Sequence, residues 1–442
     1  MNPNMNIPNT FPTQFQDQIV RIFSEKCLTG NLFASFDCFH RLDIDILRRT
    51  TRIIMDAEPV IGCRMDLNSA EPIWIRRDDL DAVSNFSVTK SNDVEADTIR
   101  LIALPYDLDA VPHFSISLLK GDDYDRLLMR MQHYLVDGRA FFEVAILFAK
   151  IYSALVNDIT YTLTPNFTSR DSFAWLKSFG WLDRLRIVRR DIGDILRMRK
   201  PQVGFKMHNP ADLMKRGDDI SLALFEVPKS RLLEIDRFAS ILALTRNDLL
   251  LAGFARAYSK LVGVEYKNHS IQLSVPNNVR RYAAVAARPP VCNLSGVANV
   301  FIDKGIGLSF SDTIDQLRKE MKRQRTGFMG ASNPLTLPFL AKKSFLRKRD
   351  MIDKMIASCE GKTMPPTFTN VGRISEQRLR FAGIAPQRIE FYSCPIRKPV
   401  ILILVMEYRD TLMLSSSHYI SDISVEDMNN LLRNTIDEIS IS

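Results

Sequence analysis

The chain has 442 residues, too many for one ordinary domain, so two domains of about 200 residues are expected. Its hydrophobic share of 46% suits a globular protein with large cores, and the excess of 59 Lys and Arg over 51 acids is modest. No nucleic-acid fold signature accompanies the basic clusters, and a single aromatic, Phe345, falls within them, so DNA or RNA is not an expected partner.

Compartment and cofactor can be read from what the sequence lacks. Met1–Thr10 has neither a basic region nor an apolar run, so no secretory signal is expected. The most apolar short run, Val400–Met406, is far below the ~20 residues a bilayer span requires. Cys27, Cys38, Cys63, Cys292, Cys359 and Cys394 show neither CxxC pairing nor metal spacing. A cytoplasmic protein with free thiols, no metal and no resident cofactor is expected.

In chain order, His113–Lys120 alternates apolar and polar residues and reads as a strand. Gly121-Asp122-Asp123 is turn chemistry, and Leu127–His133 reads as the returning strand of a hairpin. Period two places Leu127, Met129, Met131 and His133 on one face, and Leu128, Arg130 and Gln132 on the other. From Gly138 to Leu155 the chain is apolar nearly all round, which predicts a buried helix. Residues 1–165 form the expected N-terminal unit. Residues 166–216 turn basic and irregular, with Pro201, Gly204, Pro210 and the following Gly217 as punctuation, and read as a crossover. Residues 217–442 form the C-terminal unit: two helices, a strand, a basic helix over about 311–325, several strands and a closing helix. That last helix, Ser424–Ile439, has Ser424 as N-cap and Glu426 and Asp427 in its first turn. Val400–Met406 pairs with Leu412–Leu414 in a hairpin.

The basic clusters are Arg184–Lys200, Arg318–Arg325 and Lys342–Arg349. Solvated helix faces are the default reading. A phosphate-rich donor, an acidic carrier protein or an anionic membrane surface in peripheral contact are the alternatives.

The chemistry concentrates at His133, Asp137 and Gly138. A histidine at the end of an apolar strand, with aspartate four residues later and glycine next, can serve as a general base at the mouth of a cleft. The glycine is expected to allow a sharp turn, and the aspartate to fix the turn through an ionic partner. A core histidine bonded at a strand end is the structural alternative. His418, with Asp422 four residues on, echoes the pattern without the glycine, and no catalytic task is expected of it. A serine hydrolase is not expected, since no Gly-x-Ser-x-Gly elbow is present and Ser295-Gly296 lacks the preceding glycine. Phosphate-loop and dinucleotide motifs are also missing.

His133-Tyr-Leu-Val-Asp137-Gly138 resembles the HxxxDG signature of CoA- and carrier-protein-dependent acyltransferases. These include chloramphenicol acetyltransferase, plant BAHD enzymes, condensation domains of nonribosomal peptide synthetases, and polyketide-associated acyltransferases. Further segments resemble that superfamily in order and spacing. Leu42–Arg49, running to Glu58-Pro59 and followed by Val60–Met65, looks like its first helix and strand. Leu232–Ala257 is similar to the helix pair opening its second half, Ser274–Arg280 to the strand carrying an arginine, and Phe368–Arg373 to a late asparagine–glycine segment. The resemblance covers about residues 15 to 440. Two departures limit it: Gln132 stands where condensation domains carry a first histidine, and the Asp-Phe-Gly-Trp-Gly signature of BAHD enzymes is absent. A stand-alone acyltransferase is the nearest likeness.

The resemblance implies an α/β fold of two chloramphenicol-acetyltransferase-like subdomains. Each would be a mixed sheet packed by helices, the two forming a pseudo-dimer with a channel between them and His133 at its midpoint. It implies transfer from acyl-CoA or a phosphopantetheinyl carrier protein to a hydroxyl or amine acceptor, small-molecule or lipid, with His133 as base. It gives Asp137 an arginine partner, which Arg280 matches first and Arg281 second. It makes Asn370, with Thr369 close behind, the candidate polar group near the reacting carbonyl. Amide formation in a peptide or polyketide pathway, or a silent relative that binds a carrier protein, are the alternatives.

Overall fold

The computed structural model describes residues 6–27, 30–69, 71–104, 112–158, 161, 163–215, 219–263, 269–283, 288–303 and 309–439. The extreme termini, the Cys27 side chain and Gly217 therefore lie outside the described residues.

Two mixed sheets carry the architecture. The first has five strands in the order Arg388–Ser393, Asn31–Cys38, Asp125–Gln132, Phe114–Lys120 and Phe86–Lys90, with only the last pair parallel. The second has six, in the order Ser295–Ile302, Ile271–Asn278, Thr367–Arg373, Leu402–Tyr408, Thr411–Tyr419 and Ile220–Val227. Thr367–Arg373 runs parallel to both its neighbours and the other pairs are antiparallel. A small sheet joins Thr10–Pro12, Ile73–Arg76 and Cys63–Asp66.

The expected hairpin forms between Phe114–Lys120 and Asp125–Gln132. Its second strand is buried along both faces, so the two-faced pattern of its sequence reflects two covered sides. Leu127, Met129 and Met131 enter the main core of the first half. Leu128 packs with Phe33, Ile102 and Tyr392 on the opposite face. Arg126 survives burial there because Asp37 receives its Nε at 2.6 Å and Glu95 its Nη1 at 2.8 Å.

The second half lends a strand to the first sheet. Arg388–Ser393 follows the second sheet's third strand in sequence yet pairs with Asn31–Cys38 in the first sheet. Its Phe391 contacts Phe141 and Phe142 of the helix Gly138–Val156, with ring centroids 5.3 and 5.1 Å away.

Several expectations need correction. Before the anticipated first helix come another helix, Phe15–Cys27, and the strand Asn31–Cys38. The anticipated helix itself runs Ile44–Ala57, capped by Asp43, and the strand after it is only Cys63–Asp66 because Pro59–Gly62 forms a 3-10 turn. Residues 166–215 are not irregular throughout: they hold an 18-residue helix, Trp181–Met198, and two 3-10 turns. The helix pair of the second half is Lys229–Ile241 and Arg246–Val262, the latter opened by a capping box between Thr245 and Asp248.

Candidate active site

His133 is the first residue after the strand Asp125–Gln132, at the start of a turn ending at the N-cap Asp137. The turn is fixed from within. Tyr134, Leu135 and Val136 are fully buried, while His133 stays partly accessible. The His133 backbone N–H donates to Gly30 O at 2.7 Å, and its carbonyl accepts from Asn293 Nδ2 at 3.1 Å. The ring lies against its own loop, with Nδ1 2.9 Å from Val136 O. A carbonyl can only accept, so Nδ1 is the donor in this contact, and in the neutral tautomer that fits it the lone pair lies on Nε2. An imidazole held in that tautomer can take a proton from an incoming group.

Asp137 turns away from the imidazole. Its Oδ1 accepts from Ala140 N at 2.9 Å and so caps the helix Gly138–Val156. Its Oδ2 accepts from Leu294 N at 2.8 Å and from Arg280 Nη1 at 2.5 Å. Arg280 also donates Nη2 to Cys292 O at 2.5 Å. Burial opposes the Arg280 charge, but the Asp137 carboxylate outweighs it and holds the guanidinium pKa above its ordinary value. Arg280 lies on the 3-10 turn Val279–Tyr282, just beyond the strand that was expected to carry it. Arg281 is engaged elsewhere, donating Nη2 to Met329 O at 3.0 Å.

Gly138 is needed for space, not for its backbone conformation. It takes an ordinary helical start, and a Cβ placed on it would lie 2.6 Å from Val371 Cγ1. Val371 is the extra residue of a bulge, since the pairing with Leu402–Tyr408 shifts register between Asn370 and Gly372. Gly372 adopts φ +84, a conformation glycine takes without strain. The late asparagine–glycine segment thus packs on the residue that ends the histidine loop.

Asn370 is exposed, and both ends of its amide are occupied. Oδ1 accepts from Gly372 N at 2.8 Å, and Nδ2 donates to Asn247 Oδ1 at 3.0 Å. Among the described residues the half-buried Thr369 hydroxyl makes no hydrogen bond, and neither residue bonds to His133.

A cavity of about 710 Å³ opens between segments of the two halves. Arg139, Glu143 and Lys150 of the helix Gly138–Val156 line one side, Arg280, Arg281 and Arg288 another, and Arg378 also reaches it. His133 does not line it. The connection runs through Arg280, which faces the cavity and bonds to Asp137. Glu58, also at this cavity, pairs with Arg288 at 2.6 Å, and burial nonetheless pushes its carboxyl up to about 7.

Sequence reading did not find Tyr134, His113, Gly30, Asn293 or Val371. Tyr134 Oη lies 2.9 Å from His113 Nδ1, and Trp74 stacks on the Tyr134 ring at 6.0 Å, clamping the residue after His133. Burial holds the His113 pKa down at about 3, so it is neutral. Gly30, His113 and Asn293 come from separate segments that no local motif marks, and nothing in the segments holding Tyr134 and Val371 declares what those two pack against. The capping role of Asp137 did carry a signal, an aspartate directly before an apolar helix.

The echo at His418 differs chemically. His418 lies within the strand Thr411–Tyr419 and is only 3% exposed, with neither ring nitrogen bonded. Burial lowers its pKa to about 4. Asp422 reproduces part of the first site's pattern, accepting from Arg397 Nη1 at 2.9 Å and from Lys398 N at 3.0 Å.

No family model matches the chain, and no curated protein matches it in sequence. Solved structures do match over nearly its whole length. The first condensation domain of the calcium-dependent antibiotic synthetase aligns at 14% identity and TM-score 0.72, covering 98% of this chain and 97% of that one. Trichothecene 15-O-acetyltransferase from Fusarium sporotrichioides aligns at 11% identity and TM-score 0.70, covering 97% and 95%. Polyketide synthase associated protein 5 from Mycobacterium tuberculosis aligns at 14% and 0.67, covering 97% and 99%. The chain has the mixed α/β fold of condensation domains and these acyltransferase-like proteins. At such identities it is the fold that is shared.

Proposed function

We propose that the protein transfers an acyl group from a thioester donor, acyl-CoA or an acyl-carrier protein, to a hydroxyl or amine acceptor. The observation that supports this reading is the Nδ1 hydrogen bond from His133 to Val136 O, which leaves Nε2 as the nitrogen that accepts a proton in the neutral tautomer. In the proposed step the acceptor O–H or N–H gives its proton to Nε2 as its heavy atom attacks the thioester carbonyl. The tetrahedral intermediate collapses, the C–S bond breaks, and the proton passes to the departing thiolate. Ester or amide and free thiol result, with no covalent enzyme intermediate. A base so placed contributes ~10²–10⁴-fold.

Asp137, Gly138 and Arg280 act by holding the loop. Thr369, whose hydroxyl is unengaged, suits the oxyanion better than Asn370, whose amide is already spent in the bulge. The basic lining of the cavity fits a donor carrying phosphates or an acidic carrier protein. We also propose the division into units 1–165, 166–216 and 217–442, with the strand Arg388–Ser393 returned to the first sheet.

The test is incubation with a panel of acyl-CoAs and acyl-carrier proteins alongside mixed alcohol and amine acceptors. Loss of the acyl mass from the donor, with matching free thiol, is expected for at least one donor. Loss with no donor in the panel would remove the thioester reading.

A further inference from the structure

The helix Trp181–Met198 is inverted relative to a helix packed on a soluble core. Its buried residues are Ile187, Arg190 and Asp194. Arg190 Nη1 donates to Gly327 O and Phe328 O, each at 2.7 Å, and Asp194 accepts from Arg323. Polar bonds hold the helix to the body, while its large apolar residues face outward. Trp181, Leu182, Leu185, Ile192, Ile195 and Leu196 are each more than half exposed. At 3.6 residues per turn these six fall within an arc of about 140° on one face. The ridge runs from Trp181 to Leu196 and is about 24 Å long.

Its outward charge is of one sign. Arg184, Arg186, Arg189 and Arg199 are exposed. Arg184, Arg189 and Arg199 have no acidic partner among the described residues, and Arg186 pairs weakly with Asp183 at 3.2 Å. None of the helix's three acids is exposed: Asp191 pairs with Arg190 and Asp194 with Arg323. A second apolar and basic element adjoins the helix. Leu335 and Phe339 are exposed, Lys343 Nζ sits 4.1 Å from the Phe339 ring, and Leu337 packs into the same cluster as Ile187.

We propose that this face docks on an anionic lipid bilayer. The apolar ridge seats in the headgroup–acyl boundary, with the flanking arginines at lipid phosphates. Charge complementarity and the shape of the ridge select this occupant. A second copy would bring the same arginines against these. An acidic protein would neutralise them but would need a long groove to cover a convex ridge. Contact is interfacial, for no single helix among the described residues is long and apolar enough to cross a membrane. The inference goes beyond the acyl-transfer reading and needs no activity for its test.

The test is co-sedimentation of the full chain with vesicles of phosphatidylcholine alone and with about one-third phosphatidylglycerol. Emission of Trp181 is the second readout, since Trp74 and Trp175 are buried. Wild type should pellet with anionic vesicles, release in high salt, and show a blue shift. Leu185→Glu/Ile192→Glu should lower partitioning at least tenfold with an unchanged circular-dichroism spectrum. Arg184→Glu/Arg189→Glu should erase the preference for anionic lipid. Wild type that neither pellets nor shifts its emission overturns the proposal, whatever the variants do. Concentration-dependent dimerisation that Leu185→Glu/Ile192→Glu abolishes, without vesicle binding, overturns it in favour of a self-interface. Capture of an acidic protein without vesicle binding overturns it too.

Discussion

Asp137 and Arg280, 143 residues apart in sequence, meet through Oδ2 and Nη1 at 2.5 Å, with Asp137 only 5% exposed. The same carboxylate caps the helix Gly138–Val156 and accepts from Leu294 N. One side chain therefore ties the histidine loop, the helix behind it and the second half together. Asp137→Asn should cost up to about 3 kcal/mol, because a partly buried guanidinium is left without its counter-charge. Arg280→Ala should do similar harm, and the double variant should be less destabilised than the sum. Chemical denaturation of the four proteins checks this, and strict additivity would refute the coupling.

Gly138→Ala is expected to destabilise by about 1–3 kcal/mol through overpacking against Val371. Because the obstacle is one methyl of a bulged residue, Val371→Ala in the same chain should recover much of the loss. A Gly138→Ala protein no less stable than wild type in thermal melts would show that the bulge yields freely. Failure of Val371→Ala to help would place the strain elsewhere.

His418 supplies a pH prediction. Its folded pKa is about 4, against an ordinary 6.5, and His113 lies lower still, at about 3. Between those values the unfolded chain binds protons that the folded chain refuses, so stability falls as pH drops from about 6.5 towards 4. His418→Gln should flatten that decline by up to ~3 kcal/mol. Its turnover should stay within about threefold of wild type, a barrier change below ~0.7 kcal/mol. Urea midpoints at several pH values give the first quantity. An unchanged slope would mean His418 titrates normally.

What could be read from the sequence followed from local pattern. The hairpin before His133, the buried helix after Gly138 and the capped final helix each lie in a continuous stretch whose periodicity or end residues declare it. The arginine partner of Asp137 was legible only through resemblance, since nothing local links positions so far apart. The strand Asn31–Cys38 escaped notice because it is buried on both faces and lacks alternation. The helix Trp181–Met198 reads as irregular chain in the sequence because its apolar residues are broken by arginines and face outward. The reason for Gly138 could not be read locally at all, as it lies in a bulge more than two hundred positions away.

Thr369→Val and Asn370→Ala should separate chemistry from scaffolding. Thr369→Val removes an unbonded hydroxyl and should lower kcat with little change in stability. Asn370→Ala removes two hydrogen bonds at the bulge and should cost about 1–3 kcal/mol of stability. Equal loss of turnover in both, without any stability difference, would return Asn370 to the reacting carbonyl.

The central claim is that His133 Nε2 removes the acceptor's proton. Its most direct test is the single-turnover rate of acyl transfer for wild type and His133→Ala, with the best donor from the thioester panel and folding verified by near-ultraviolet circular dichroism. The expected result is a rate reduced by at least ~10²-fold at unchanged fold. A folded His133→Ala protein retaining more than about a tenth of the wild-type rate, a barrier change under ~1.4 kcal/mol, would contradict it.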